Sequence, residues 1–250
     1  MLRGRALDAS VSRVIEVLEN FNGIITASYT GDRASSEQVR IYDRAITDYT
    51  QAIRLDPHFA EAYNSRGATY TNKGDYDRAV ADYTEAIRLN PHFAQAYTNR
   101  GNAYADKGDY DQAVADHTQA ISLAPDLAEA YTNRGVAYAD KGDYDRAVAD
   151  HTHAIRLNSR FASAFVNRGN SYVKNIEYDR ALSDYTRAIT IDPNFIVAYA
   201  NRGLLYVYMF DFDKAIKDWE TILRIDPNNS EAKQSIEHIR QIDLPKMFGN

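Results

Sequence analysis

The chain has 250 residues, no cysteine and a formal net charge of −6. Without thiols it has no disulfides, no thiolate metal sites and no cysteine nucleophile. An acidic balance with no block of Lys and Arg argues against a surface that tracks phosphates, so no nucleic-acid partner is expected.

From the N-terminus, residues 8–21 space Val11, Val14, Ile15 and Leu18 along one helical face, and 22–35 contain the turn pairs Asn22-Gly23 and Gly31-Asp32. Charges at Arg5, Asp8, Arg13 and Glu16 interrupt the apolar run that a secretory signal requires. No stretch is apolar over the length of a membrane span. A cytoplasmic protein without membrane insertion is therefore expected, an extracytoplasmic one only if the start is processed or truncated. Ser35-Ser36-Glu37-Gln38 is a capped helix start, predicting a helix from about 36 to 55. Residues 1–41 thus lead into a degenerate first repeat whose second helix occupies 42–58.

Beyond this point the chain repeats every 34 residues, with glycine at Gly67, Gly101, Gly135, Gly169 and Gly203 and proline at Pro57, Pro91, Pro125, Pro193 and Pro227, Ser159 alone breaking the second series. Five units follow, 59–92, 93–126, 127–160, 161–194 and 195–228, the second and third nearly copies. Each reads as two amphipathic helices, for example 93–106 and 110–123, joined by Lys107-Gly108-Asp109. Gly108 suits the left-handed residue after a helix, and Asp109 suits the cap of the next. Prolines near the unit ends separate one pair from the next. SEAKQSIEHIRQI, within 229–242, predicts a polar-faced capping helix, and 243–250 a short tail. Self-similarity at this period predicts stacked units that bury their apolar faces against their neighbours.

The pattern Tyr63, Arg66-Gly67, Tyr70, Ala79, Tyr83, Ala86 and Pro91, recurring in all five units, resembles the tetratricopeptide repeat. The resemblance implies an all-α fold, a right-handed α-solenoid of stacked antiparallel helix pairs. One departure is systematic: Arg66, Arg100, Arg134, Arg168 and Arg202 stand where the family usually has Leu. Asp82, Asp116, Asp150, Asp184 and Asp218 recur in step with them, so each Arg is expected to reach an Asp of a neighbouring second helix; the alternative is two independent solvated charges. The tyrosine stripe is read as packing rather than a stacking platform for a ligand. His117 and His151 take the place of Tyr49, Tyr83, Tyr185 and Trp219. They are read as packed rings, against a metal or pH-sensing role. No cofactor and no catalytic constellation is expected.

The resemblance also implies that the first helices line a concave face where extended peptides or partner helices dock. Asn99, Asn133, Asn167 and Asn201 precede the Arg-Gly pairs there, with Ser65 in the first unit. A row of amides can hold an extended backbone whatever its side chains, as in the asparagine ladder of some peptide-binding members of the family. The competing reading is that these amides bond to one another. Asn102 and Asn170 join them as candidate partner contacts. Chaperone-binding members grip a C-terminal carboxylate with basic residues, but here the corresponding positions are Thr98, Ser163 and Asn167, so no such ligand is expected. Groove positions in the early units are polar or acidic (Glu61, Thr98, Asp106, Glu129, Thr132 and Asp140), whereas those in the last two are Val166, Val173, Val197, Ala200, Leu204, Val207 and Tyr208. An exposed apolar contact patch is expected at Val197, Leu204 and Tyr208, unless the terminal helix or tail covers it. The expected function is a non-catalytic scaffold that binds a peptide or protein segment in its groove. Self-assembly into a homo-oligomer through the C-terminal repeats is the alternative.

Overall fold

The structure, a computed structural model, describes residues 36–241. The expected helix over 8–21, the loop over 22–35 and the tail over 243–250 lie outside the described residues. Within them every regular element is a helix: α1 (Ser36–Leu55), α2 (Ala60–Asn72), α3 (Tyr76–Leu89), α4 (Ala94–Asp106), α5 (Tyr110–Leu123), α6 (Ala128–Asp140), α7 (Tyr144–Leu157), α8 (Ala162–Lys174), α9 (Tyr178–Ile191), α10 (Ile196–Tyr208), α11 (Phe212–Ile225) and α12 (Ser230–Arg240). Two compact units are formed, one ending at Asn175 with α8 and one beginning at Ile176 with α9.

In the first unit each pair turns on a left-handed glycine, Gly74, Gly108 or Gly142, with φ of 75°, 80° and 81°. A Cβ added there would meet nothing, so it is the backbone conformation alone that asks for glycine. The next residue stops the turn. Asp75, Asp109 and Asp143 accept from the backbone N–H of Arg78, Gln112 and Arg146 and so cap α3, α5 and α7. Within each pair the helices touch through alanines that lose all exposure, among them Ala79, Ala86, Ala113, Ala120, Ala147 and Ala154. A Cβ at Gly67 would come within 2.8 Å of the Tyr83 ring, and one at Gly135 within 2.6 Å of His151. The backbones can approach that closely only without a side chain there. Among the described residues six tyrosines are buried, Tyr70, Tyr83, Tyr131, Tyr172, Tyr185 and Tyr199, in keeping with a packing role for the stripe.

The Arg–Asp partnership forms inside the pairs α2–α3, α4–α5, α6–α7 and α10–α11. Arg66 donates Nε and Nη2 to the two oxygens of Asp82, both at 2.7 Å. Arg100 does the same to Asp116, Arg134 to Asp150 and Arg202 to Asp218, at 2.7–2.9 Å. These carboxylates are buried. The third nitrogen ties one repeat to the one before it: Nη1 of Arg66, Arg100, Arg134, Arg168 and Arg202 donates to Thr50, Thr84, Thr118, Thr152 and Thr186 at 2.9–3.1 Å. The Asp is thus on the second helix of the same pair, and a threonine is the contact to the neighbouring pair. Arg134 also lies 5.7 Å and 5.9 Å from the ring centres of Tyr131 and Tyr138, so its stem and charge are sheathed by aromatic faces.

The second unit closes on a cluster of Tyr199, Val207, Ala215, Trp219 and Ile222 with Ala232, Ile236 and Ile239 of α12, which covers the last apolar face. Its turns differ from those of the first unit. Ile176 and Phe210 occupy the left-handed position with φ of 62° and 59°, where Gly74, Gly108 and Gly142 stand earlier. Both are exposed, Ile176 at 73% and Phe210 at 48%. A β-branched or bulky side chain in this conformation costs roughly 1–2 kcal/mol through the clash of its Cβ with the backbone. Ile176→Gly is therefore expected to raise stability by about 0.5–1 kcal/mol in urea unfolding, even though glycine loosens the unfolded chain.

Candidate inner face of the first helices

In the first unit the successive first helices α2, α4, α6 and α8 touch one another, which makes theirs the inner side of the stack. The asparagines lie on that side and bond across it. Asn99 Nδ2 donates to Asn64 Oδ1 at 3.0 Å, Gln95 Nε2 donates to Asn99 Oδ1 at 2.9 Å, and Asn133 Nδ2 donates to Asn102 Oδ1 at 2.9 Å. Each bond between asparagines spans two repeats, so the amides form rungs that fix one another's rotamers. A primary amide has two N–H donors and an oxygen with two lone pairs, so one rung leaves hydrogen-bonding capacity on each half-buried side chain. Asn167 is half-buried and Asn170 exposed, both on α8. Asn201 is half-buried on α10, in the other unit.

Two sets of expected groove residues are placed differently. Thr98 and Thr132 are buried, their hydroxyls donating to the carbonyls of Ala94 and Ala128, so they are helix packing and do not line a groove. The C-terminal apolar positions are largely taken up by the core. Val166 is 2% exposed and Val207 3%, while Ala200 and Leu204 pack against the cluster around Trp219. Val197 is half-buried, and Tyr208, at 38%, is the exposed one of the expected patch. Val207 belongs to the Trp219 cluster and Ala200 and Leu204 pack against it, so packing on α11 and α12 draws these side chains inward. The exposed apolar group instead sits at the α10–α11 turn, Tyr208, Met209 and Phe210. Leu204→Asp is consequently expected to unfold the C-terminal unit, and Tyr208→Asp is the variant that tests surface contact.

His117 and His151 are each 1% exposed and sit against Gly101 and Gly135 as Tyr83 sits against Gly67. Burial lowers the imidazole pKa to about 4 for His117 and about 3 for His151, with Arg134 and Arg168 adding repulsion. Both rings are neutral at physiological pH, which removes a sensing role near neutrality. No group of three or more His, Asp or Glu among the described residues is arranged to hold a metal ion. Beside His151 a recess of about 380 Å³ opens on the inner side, lined in part by Ala139, Asp140, Asn167, Asn170 and Lys174. The crowding of protein around Asp140 raises its carboxyl above the ordinary value through desolvation. No direct sign of this recess is legible in the sequence. Its only trace was the pairing of a small residue, Ala139, with a histidine in place of tyrosine.

A family model described as "TPR repeat" matches residues 42–74, 67–108 and 101–142, and one described as "Tetratricopeptide repeat" matches 128–161, 162–195 and 196–229. No curated protein matches the sequence. Among solved structures the chain is similar to MamA, with 28% identity, a TM-score of 0.57, and coverage of 66% of this chain and 96% of that one. It is also similar to YrrB, described as a TPR protein with an unusual peptide-binding site (23% identity, TM-score 0.55, 76% and 97% covered). PilF of Pseudomonas aeruginosa shares the fold at 18% identity with a TM-score of 0.64, covering 94% of this chain and 98% of that one. Among the described residues no helix is long and apolar enough to cross a membrane.

Proposed function

Since the chain belongs to the tetratricopeptide repeat family over residues 42–229, a family of protein-interaction scaffolds, we propose that it binds an extended peptide or protein segment along the inner face of its first helices. The rungs of amides at Asn64–Asn99 and Asn102–Asn133 are the observation that carries this reading. Side chains that already hold one another in place lose little further freedom when they accept a ligand, and their remaining donors and acceptors match a peptide backbone. Asn167 continues the row in the first unit and Asn201 stands at the same place in the second, with Val197 beside it. The proposal is of a cytoplasmic scaffold that performs no chemistry of its own.

Replacing Asn133 and Asn167 together with alanine is expected to weaken capture of the partner at least tenfold, or about 1.4 kcal/mol. Thermal stability should fall by only about 1 kcal/mol, the net worth of the amide bond to Asn102. A fall of several kcal/mol with capture intact would make the amides purely structural.

A second reading has its own observation. Tyr208, Met209 and Phe210 expose apolar surface on one turn, and Phe210 holds a strained backbone to do so. Pairing of two copies through this turn would account for it. Sedimentation over a range of concentrations, with Tyr208→Asp as the comparison, decides the matter: a monomer at every concentration removes the homo-oligomer.

A further inference from the structure

Tyr83 fills the space beside Gly67, and its hydroxyl is within hydrogen-bond distance of Thr71, at 3.1 Å. Two repeats later the same pair of positions holds His151 and Ala139, both smaller, and the recess of about 380 Å³ lies there. His151 forms its inner wall. The ring is 1% exposed, and neither Nδ1 nor Nε2 has a hydrogen-bond partner within the chain. A neutral imidazole buried with one donor and one acceptor unused is unfavourable by more than the typical strength of the bonds it lacks, and it marks a place where a polar group from outside would be held. The remaining polar lining is Asp140, Tyr144, Asn167, Asn170, Lys174 and Ser171, whose hydroxyl donates to the Asn167 carbonyl.

We propose that this recess seats the guanidinium of an arginine side chain carried by the bound segment. The proposal rests on the groove reading above and specifies one side chain of its ligand. A planar guanidinium offers five N–H donors at fixed angles, and the recess offers acceptors at its wall and rim: the imidazole nitrogen of His151, the Asp140 carboxylate and the amide oxygen of Asn167. Asp140 is exposed at the mouth of the recess, where its carboxylate is stabilised when a cation comes beside it. A carboxylate ligand would have only Lys174 as a charged partner, would face Asp140, and would gain nothing from an imidazole that stays neutral. Lys174 is exposed at the rim, where its chain can swing away into water.

The test uses the whole chain and small probes, so it does not depend on knowing the partner. N-acetyl-arginine methylamide is titrated while the ring nitrogens of His151 are followed by ¹⁵N NMR, with the citrulline and glutamate analogues as comparisons. The arginine probe is expected to give a saturable shift at His151 with a Kd near about 1 mM, a usual scale for a single side chain. The citrulline probe should bind at least tenfold more weakly. Asp140→Asn should lose at least tenfold. His151→Tyr, which places there the residue found at Tyr83 and Tyr185 and so keeps the fold, should abolish binding of the arginine probe, followed in that variant by the side-chain amide signal of Asn167. No saturable shift, equal binding of citrulline, or preference for glutamate would each overturn the proposal. Loss of capture in a variant with Asn99 and Asn133 replaced by alanine, neither of which lines the recess, would still stand in those cases, because it reports on backbone contacts along the row.

Discussion

Arg134→Ala is expected to destabilise the protein by about 3–5 kcal/mol, the usual consequence of leaving a buried carboxylate without its cation. Asp150 is 7% exposed and receives two hydrogen bonds from Arg134, at 2.7 Å and 2.8 Å. Removing the guanidinium strands that charge and also cuts the tie from Nη1 to Thr118 in the preceding repeat. The double variant Arg134→Ala, Asp150→Ala should be less damaged than the single one, with a coupling of roughly 1–3 kcal/mol in the cycle. Urea unfolding measures it. Hydrogen exchange should localise the loss to α5, α6 and α7, because in a stacked array each repeat depends on its nearest neighbours. Additive effects would mean that the two charges act independently.

The histidines set a second expectation of similar size. His117 and His151 are buried and neutral, with pKa values of about 4 and about 3, whereas in the unfolded chain a histidine titrates near the ordinary 6.5. Between those values the unfolded state binds protons that the folded state refuses. Stability is therefore complete above about pH 6.5 and falls as the pH drops from there toward 4, by up to about 1.4 kcal/mol per pH unit for each ring. The variant His117→Tyr, His151→Tyr puts at both places the residue that packs beside Gly67, and carboxylate titration is common to both proteins. Its urea midpoint should fall more gently between pH 6.5 and 4.5 than that of the parent. Parallel curves would show that these rings take up protons while folded.

Helix pairs, turn glycines and capping aspartates were legible in the sequence because each is a local requirement repeated at one period. Gly108 and Asp109 announce their backbone roles wherever they occur. The Arg–Asp pairing was legible for the same reason, although its direction was not. A step of 34 residues fits a bond within a pair as well as one between pairs, and only the packed helices separate Asp150 from Thr118 as partners of Arg134. Groove residues were less legible. Periodicity places Leu204 and Val207 on the first-helix face, but how far a side chain at the border of that face tilts inward depends on the volume of its neighbours. The cluster around Trp219 takes Val207 and Leu204 inward and leaves Tyr208 outside. The amide rungs depend on side-chain reach across two repeats, and the recess at His151 on volume lost at two positions together. Neither is a property of one position in an alignment of repeats.

The central claim, that a partner segment lies along the inner face of the first helices, is tested most directly by photo-cross-linking in the native cell. A benzophenone amino acid is placed at Val136, on the inner side beside the recess, and separately at Gln119, exposed on the second helix α5. The account predicts a discrete adduct from Val136 that disappears in the Asn133→Ala, Asn167→Ala background, and none from Gln119. An adduct from Gln119 alone, or one from Val136 that survives loss of both asparagines, would contradict it.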